Sequence, residues 1–360
     1  MKLRQIRLQD FRNVAAGSLE FTGERVFLVG ANGQGKTNLL EAIGYMNALR
    51  AFRPGDNRVL IREGATEAAL AFVVEHERLG RSELVVRIRT RGKEASFEGT
   101  AVKRLADFIG RFPAVLFASE DIQLVRGAPA ARRRWLDLHL ASLDAAYLAA
   151  LQTYHRALDQ RNQLLKRHAQ PGQLTAFERQ LAPAAATLVL RRRAAVDTLA
   201  ALASAAFSRL TGALDTATIT YQPDTEGTDA AVFHTLWEQQ RARDLQFGAT
   251  QRGPHRDDLE LRINERAALL YGSEGQQRAL VLALRFAQLR DARQRTGCAP
   301  VVLADDVLGE LDPERRARFW QSLDPDVQLF ATGTTVPSDP SGSWQVFRVR
   351  GGRFESGDDP

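Results

Sequence analysis

The stretch RVFLVGANGQGKT, residues 25–37, decides the fold. It places the pattern Gly-x-x-x-x-Gly-Lys-Thr between an apolar run typical of a strand and the helical sequence KTNLLEAIGYMNAL. The glycines of the loop allow the backbone to bend tightly, so that several N–H groups point at one phosphate. An accidental match would not bring both flanking elements with it. The pattern therefore predicts a P-loop that binds a nucleotide.

Two side chains of this loop have predicted roles beyond that of its backbone. Lys36 places a positive charge against the β- and γ-phosphates, and Thr37 offers a hydroxyl ligand to Mg²⁺. The N-terminus of the following helix favours the anion further. Lys36 is therefore assigned to catalysis as well as to binding. The predicted nucleotide contacts in this loop are Gly30, Ala31, Asn32, Gly33, Gln34, Gly35, Lys36 and Thr37.

A second motif supplies the carboxylates that a P-loop requires. PVVLADD, residues 300–306, is an apolar strand that runs into Asp305 and Asp306. Asp305 is predicted to hold Mg²⁺ or its water. Asp306, one residue on and across the pleat, is predicted to orient or deprotonate the attacking water. Adjacent aspartates can also simply end a strand, but next to an intact P-loop we favour the catalytic interpretation.

A third motif, YGSEGQQRAL at residues 271–280, opens a helix far downstream of the P-loop. Ser273 could merely cap this helix, as serine often does. A serine hydroxyl and N–H groups at a helix start also form an anion site. The order of the three motifs, followed by the acidic turn GELD, is that of ABC-type ATPases, in which Ser-x-Gly-Gln binds the γ-phosphate held by another subunit. Ser273, Gly275 and Gln276 are therefore predicted nucleotide contacts made in trans.

Composition narrows the class of protein. The chain has 360 residues, 44% of them hydrophobic, so one large domain or two smaller ones can bury cores. Its single cysteine, Cys298, excludes an intrachain disulfide and a cysteine metal site. No run approaches the ~20 apolar residues of a membrane span, and the N-terminus alternates like a strand and not like a signal peptide. We therefore expect a soluble, cytoplasmic protein.

The spacing of apolar residues changes twice along the chain. Residues 1–115 are predicted to be the N-terminal part of a mixed α/β head, and residues 116–247 a helical insertion. Residues 248–360 are predicted to complete the head. The predicted fold is thus an α/β ABC-type ATPase head, a P-loop NTPase with a mixed sheet and helices, which carries an inserted and mainly helical second domain.

Further stretches give a closer resemblance. The chain resembles the RecF family of bacterial recombination-mediator ATPases, which is related to SMC heads, in the three motifs above and in FRN (11–13), LFASEDIQLVRGAPAARRRWLD (116–137), QRNQLLK (160–166), GPHRDDL (253–259) and DDVLGELD (305–312). The resemblance implies an ATP-dependent homodimer that binds double-stranded DNA at gaps, acts with RecR and RecO, and helps to load RecA. It also implies weak, DNA-stimulated ATP hydrolysis as a release switch, and it matches Arg12 and Asn13 to a position near the nucleotide phosphates.

The chain departs from that family at a few positions. Gly309 stands where the family usually has serine, and Glu274 stands where its signature usually has glutamine. These two departures put the rate of hydrolysis in question more than the fold. In TGTT, after the strand VQLFA, Thr332 and Thr334 are both candidates for the switch residue that related ATPases place here.

Basic residues give candidate DNA contacts, since the net charge of +6 fits either an arginine-rich coding background or a polyanionic partner. Side chains alternate along a strand, so LVVRIRTRGKEASFEG is predicted to place Arg87, Arg89 and Arg91 on one side. With Lys93, Lys103 and Arg104 they would form a strip suited to phosphates; the alternative is a solvated face or edge protection. The same alternatives hold for the arginine triplets at 132–134 and 191–193.

GPHRDD (253–258) is interpreted either as a junction of head and insertion or as a nucleotide contact.

Two other functions fit parts of the sequence. A P-loop enzyme on a small substrate, such as a kinase with incidental basic charge, has no use for the Ser273 motif, and the chain shows no lid or acceptor site for it. A nuclease-coupled ABC ATPase would need a further cluster of acidic metal ligands, and none follows the head. The DNA-binding ATPase is therefore favoured.

Overall fold

The computed structural model describes residues 1–52, 56–168, 170–337 and 343–357. The chain divides into two compact units. Unit 1 contains Met1–Asp121, Arg209–Thr211 and Arg285–Pro360, and unit 2 contains Ile122–Ser208 and Gly212–Leu284.

The elements are numbered in chain order. The strands are β1 (Lys2–Phe11), β2 (Val14–Glu20), β3 (Arg25–Val29), β4 (Glu67–His76), β5 (Gly80–Arg89), β6 (Gly92–Phe97), β7 (Thr100–Ala101), β8 (Ala114–Ala118), β9 (Ala217–Gln222), β10 (Asp258–Ile263), β11 (Arg266–Ala267), β12 (Val301–Asp305), β13 (Leu329–Gly333), β14 (Gln345–Arg350) and β15 (Arg353–Gly357). The helices are α1 (Lys36–Ala48), α2 (Gln123–Arg126), α3 (Pro129–Leu143), α4 (Ala145–Lys166), α5 (Pro171–Thr211), α6 (Ala230–Phe247), α7 (Ala268–Tyr271), α8 (Glu274–Thr296) and α9 (Pro313–Ser322). Among the described residues, no helix combines the length and the apolar character that crossing a lipid bilayer would require.

Unit 1 is built on two sheets. The first has the strand order β2-β1-β4-β5-β6-β7 and is antiparallel. The second has the order β15-β14-β3-β13-β12-β8 and is parallel except for the β14–β15 hairpin. The carboxyl ends of β3, β12 and β13 therefore meet at one edge of the second sheet. This edge is where open α/β sheets place their ligands.

Helix α1 packs its apolar side into the core of unit 1. Leu39, Leu40 and Ile43 of α1 are fully buried in one cluster with Leu3 of β1. Burial of an aliphatic side chain of this size stabilises the fold by ~1.5–3 kcal/mol. The helix that begins with Lys36 is therefore held firmly behind the P-loop.

Unit 2 combines long helices with a small antiparallel sheet of order β11-β10-β9. Helices α2 to α6 occupy most of residues 123–247, but the predicted start of the insertion at residue 116 falls within β8 of unit 1, and unit 2 begins at Ile122. The predicted return to the head at residue 248 differs from the structure, in which unit 2 extends to Leu284. The reason is strand pairing, because β9, before the predicted boundary, pairs with β10, which lies after it.

Candidate nucleotide-binding site

The P-loop joins the end of β3 to the start of α1. Gly33 and Gly35 have φ angles of 78° and 112°, which residues other than glycine rarely adopt. A Cβ atom at Gly30 would lie 2.5 Å from the carbonyl oxygen of Val349. Gly35 is the N-cap residue of α1 and has no side chain, so no side chain of its own covers the first N–H groups of the helix. This geometry meets the requirements of an anion site at a helix start.

Lys36 is almost completely buried, with 4% of its surface exposed. Its Nζ donates to the carbonyl oxygens of Gly30 and Ala31 at 2.8 and 3.2 Å and lies 3.5 Å from Asn32 Oδ1. All three acceptors are neutral, so these contacts hold the ammonium group without balancing its charge. A buried charge of this kind favours an anionic ligand.

Asp305 and Asp306 meet two threonines at the ends of β12 and β13. Thr37 Oγ1 and Thr332 Oγ1 each donate to Asp305 Oδ1 at 2.9 Å. Asp306 lies beyond β12 in a left-handed conformation with φ of 56°, and not across the pleat of the strand as alternation predicted. Its N–H donates to Thr332 Oγ1 at 2.9 Å. Of the two candidate switch residues, Thr332 thus contacts both aspartates, whereas Thr334 is exposed.

Arg12 and Asn13 come from the turn between β1 and β2. Arg12 Nε and Nη2 donate to the carboxylate of Glu41 in α1 at 2.8 and 3.0 Å, and Glu41 is fully buried. Asn13 Nδ2 donates to the Gln34 carbonyl at 3.2 Å, and Asn13 Oδ1 accepts from Asn38 Nδ2 at 2.8 Å. Asn13 therefore lies against the P-loop, and Arg12 pairs with α1. Glu41 was not among the predicted site residues, although its acidic side chain interrupts the apolar stretch of α1.

The turn between β14 and β15 also reaches the P-loop. Gly351 N donates to Gln34 Oε1 at 2.8 Å, and Gly352 N donates to the Gln34 carbonyl at 2.9 Å. This contact was not predicted from the sequence, because no local pattern links Gln34 to a turn 317 residues away.

The Ser273 motif lies in unit 2, at the start of α8. Gln276 N donates to Ser273 Oγ at 3.2 Å, and Ser273 N donates to Gln276 Oε1 at 2.9 Å, a reciprocal pair known as a capping box. Gln276 Nε2 also donates to Asp215 at 3.0 Å. Ser273 is therefore a helix cap. The capping box does not use the N–H groups of Glu274 and Gly275, so the contact in trans stays a prediction.

Large apolar side chains lie next to this helix start. Leu269, Leu270 and Tyr271 immediately precede the motif and are 51%, 73% and 66% exposed. Leu214, which is 85% exposed, is next to Asp215, the acceptor of the Gln276 hydrogen bond. Large exposed apolar side chains close to one helix start are characteristic of an interaction surface.

The predicted basic strip is only partly formed. β5 ends at Arg89, so Arg91 lies in the turn that follows and its predicted place on the strand was wrong. Glu67 pairs with Arg87 at 3.3 Å and with Arg89 at 3.0 Å, and Arg89 also pairs with Glu94 at 2.7 Å. The hydrogen bond from Arg89 is the main reason that the pKa of Glu67 lies below its usual value. The charges of Arg87 and Arg89 are therefore largely balanced locally.

The other three members of the strip differ among themselves. The Lys93 ammonium group donates to the Leu49 carbonyl oxygen and lies 5.9 Å from the centre of the Tyr45 ring. Burial of that group lowers the pKa of Lys93, although much of its side chain is exposed. Lys103 and Arg104 are exposed, and no ion pair joins them to a carboxylate among the described residues. Together with Arg91, which is also exposed and is joined to no carboxylate by an ion pair in the described ranges, they are the members best placed to meet a polyanion.

GPHRDD, residues 253–258, forms part of a buried polar network inside unit 2. Arg192 donates to Asp257 Oδ2 at 2.8 Å, and Arg132 forms a bidentate pair with Asp258 at 2.7 and 2.9 Å. Other arginines of both triplets are also engaged within the unit, since Arg133 donates to the Asp257 carbonyl and Arg191 and Arg193 pair with Asp144 and Glu226. These contacts give GPHRDD a structural role in unit 2 and provide no support for contact with a nucleotide.

His255 belongs to the same network. Its Nε2 donates to the Thr250 carbonyl at 3.0 Å, which leaves Nδ1 to accept from the Tyr154 hydroxyl at 2.7 Å. Burial lowers the pKa of His255 to about 4. The imidazole is therefore neutral at physiological pH, and the network depends on its neutral tautomer.

The chain matches known proteins over almost its whole length. A family model described as RecF/RecN/SMC N terminal domain matches residues 2–335. The DNA replication and repair protein RecF of Synechococcus sp. (strain JA-3-3Ab) is 38% identical over 373 residues, which cover 98% of this chain and 97% of that protein. RecF of Nostoc punctiforme is 36% identical over 372 residues, which cover 98% and 99% of the two chains.

Solved structures share the fold. The structure of the recombination mediator protein RecF with ATP, in the RecFOR pathway, has a TM-score of 0.89 and 27% identity, and the match covers 99% of this chain and 97% of that one. An Smc head domain from Pyrococcus furiosus has a TM-score of 0.53 and 17% identity over 98% of this chain and 95% of its own, and it shows likeness of fold alone. The predicted ABC-type ATPase head is thereby confirmed.

Proposed function

The chain belongs to the RecF/RecN/SMC N-terminal domain family, and from this premise we propose that it is an ATP-dependent DNA-binding protein of DNA replication and repair. ATP joins two copies on double-stranded DNA near gaps or single-strand/double-strand junctions, and slow hydrolysis releases them. The bound protein helps to load the RecA recombinase. The observation that carries the proposal is the buried Lys36 ammonium group, held by neutral acceptors beside the Thr37–Asp305 pair.

The residues at the edge of the second sheet fit ATP with Mg²⁺. The Thr37 hydroxyl and the Asp305 carboxylate are oxygen ligands of the kind that Mg²⁺ prefers, and they lie 2.9 Å apart. Bound Mg²⁺ would neutralise charge on the β- and γ-phosphates. Lys36 would exchange its carbonyl acceptors for phosphate oxygens, which form stronger charge-assisted hydrogen bonds.

Asp306 and Thr332 support slow hydrolysis at the same site. The Asp306 carboxylate would accept the proton of the attacking water. Thr332, whose hydroxyl contacts both aspartates, would couple the position of Asp306 to that of the metal ligand Asp305. Gly309 offers no hydroxyl in the loop after the acidic pair, and Glu274 adds a negative charge to the signature motif. Both departures bear on the rate of hydrolysis, and we propose from the family that this rate is low and is raised by DNA.

The start of α8 supports a homodimer. The N–H groups of Glu274 and Gly275 remain outside the capping box, and they would meet the γ-phosphate held by the P-loop of a second copy. The exposed Leu269, Leu270 and Tyr271 directly before Ser273 would be covered in the same contact. A helix cap alone gives no reason for large apolar side chains to surround it, so the surroundings of Ser273 favour the contact in trans.

The DNA contact rests on charge and on the relatives. The chain has a net charge of +6, and Arg91, Lys103 and Arg104 are the members of the basic strip best suited to phosphate contacts. Arg87 and Arg89 would contribute only if DNA displaced their carboxylate partners. The related RecF protein acts as a recombination mediator in the RecFOR pathway, which supports RecR and RecO as partners.

The proposal is tested by gel filtration with light scattering, with and without ATP and double-stranded DNA, on the wild type and on Asp306→Asn. The amide keeps its size but accepts no proton, so hydrolysis should slow by about 10²-fold or more, and the ATP-bound dimer should accumulate. Asp107→Asn, an exposed carboxylate of unit 1, serves as the control. A chain that stays monomeric with ATP and indifferent to DNA would instead fit an enzyme acting on a small substrate.

A further inference from the structure

The carbonyl group of Gln34, in the middle of the P-loop, is held from two sides. It accepts a hydrogen bond from Gly352 N at 2.9 Å and one from Asn13 Nδ2 at 3.2 Å. The Gln34 side chain adds a third contact, because its Oε1 accepts from Gly351 N at 2.8 Å. The turn Gly351–Gly352 thus forms hydrogen bonds with both the backbone and the side chain of Gln34.

Fixing this carbonyl also fixes the N–H of the next residue. A trans peptide is planar, and its C=O and N–H point in opposite directions. Because the Gln34 carbonyl faces the β14–β15 turn, the N–H of Gly35 faces the other way, away from that turn. Gly35 is the N-cap residue of α1, so its N–H lies at the positive end of the helix dipole, where a phosphate would bind.

The turn is brought to the loop by strand pairing and requires glycine at its second position. β14 runs beside β3 with Arg348 opposite Val29, so the chain beyond it continues alongside the loop. Gly352 has φ of 76°, and a Cβ atom there would lie 2.4 Å from the Asn13 carbonyl oxygen. The contact between the turn and Asn13 therefore leaves no room for a side chain.

We propose that Gly351–Gly352 is a positioning element for nucleotide binding. It holds the Gln34 carbonyl, so that the N–H of Gly35 is aimed at the phosphates before the nucleotide arrives. The inference rests on the proposed ATP-binding function of the P-loop. The β14–β15 hairpin would therefore influence the affinity of the P-loop for the nucleotide without itself contacting a phosphate.

The test compares Gly352→Ala with Gly80→Ala. Gly80 begins β5 after the β4–β5 turn, has a similar φ of 70°, and would place a Cβ atom within 4 Å of nothing. Both variants carry the same kind of backbone strain, but only the first displaces Asn13 and the Gln34 carbonyl. Fluorescent analogues of ATP and ADP should bind Gly352→Ala about tenfold or more weakly, the equivalent of losing one hydrogen bond to a charged group, and Gly80→Ala like the wild type.

A second measurement separates positioning from stability. In the nucleotide-free protein, hydrogen exchange of the peptide covering residues 30–37 should be faster in Gly352→Ala than in Gly80→Ala, even where their melting temperatures agree. Gln34→Leu, which removes the Oε1 acceptor but keeps the backbone carbonyl, should give a smaller loss of affinity in the same direction. It also serves as the test should Gly352→Ala not fold.

The outcomes are distinguishable. Equal nucleotide affinity for Gly352→Ala and Gly80→Ala, or for Gln34→Leu and the wild type, would overturn the positioning role and leave the ATP site intact. A wild-type protein that binds no ATP would instead contradict the proposed function itself.

Discussion

The N-termini of α1 and α8 carry the same helix dipole, but only the N-terminus of α8 is capped by a side chain. α1 begins after Gly35, which offers no side-chain cap, and Lys36 lies buried on neutral carbonyls. α8 begins after Ser273, whose hydroxyl and N–H are both engaged with Gln276. An anion site needs donors that the chain leaves unsatisfied. The N-terminus of α1 can therefore bind a phosphate within one chain. The N-terminus of α8 needs a second copy, which brings the phosphate and covers the exposed apolar side chains beside it.

The largest expected effect concerns the first start. Lys36→Ala removes the ammonium group that would face the β- and γ-phosphates, and we expect nucleotide affinity to fall by about 100-fold or more. Titration with a fluorescent ATP analogue measures it. Lys103→Ala, an exposed lysine of the same unit, should bind the analogue normally. Near-normal affinity of Lys36→Ala would mean that the uncapped start is not the site.

The second expected effect separates the two starts. Ser273→Arg leaves the P-loop unchanged, so each monomer should still bind ATP. It should block ATP-driven dimerisation, because a guanidinium group does not fit between the start of α8 and a γ-phosphate. Light scattering with ATP measures the dimer.

Mixing two variants makes this test sharper. A heterodimer of Ser273→Arg with Lys36→Ala keeps one complete site, formed by the P-loop of the first chain and the Ser273 motif of the second. It should recover part of the ATPase activity that neither homodimer has. No recovery on mixing, with both chains folded, counts against the contact in trans.

The contrast between the two starts also explains what sequence could predict. Gly-x-x-x-x-Gly-Lys-Thr predicted the P-loop because the residues that shape the loop and bind the phosphate are adjacent in the sequence. Ser-x-x-Gln is equally the pattern of a capping box, so the sequence alone left two interpretations of Ser273 open. The cap is present, and the exposed Leu270 and Tyr271 are what favours the additional role in trans.

Contacts across long separations were not predictable. The hydrogen bonds from Gly351 and Gly352 to Gln34 depend on the pairing of β14 with β3. The pairing of Glu67 with Arg87 depends on the register of β4 against β5, and no periodicity reveals it. Both contacts are tertiary, so a pattern within one segment carries no signal for them.

A smaller effect is expected from the apolar surface beside α8. Leu270→Ser changes a side chain that is 73% exposed, so the free energy of unfolding of the monomer should hardly change. If a second copy covers this side chain, the ATP-bound dimer should dissociate about tenfold more readily. Val59→Ser, at a position in unit 1 that is 48% exposed, is the control. Equal dimer stability in both variants would place the interface elsewhere.

The smallest expected effect is on the cap itself. Ser273→Ala should lower the free energy of unfolding by ~1 kcal/mol, because Gln276 N loses its side-chain acceptor. Asp229→Ala is the matched control in the same unit, since Asp229 caps α6 by accepting from Ala231 N at 2.8 Å. Urea unfolding should show similar losses for both variants. Dimerisation with ATP should weaken only in Ser273→Ala, since only this hydroxyl would also face a γ-phosphate. If the two variants lose stability alike and dimerise alike, Ser273 is only a helix cap. The N-terminus of α1 would then be a phosphate site, and that of α8 would not.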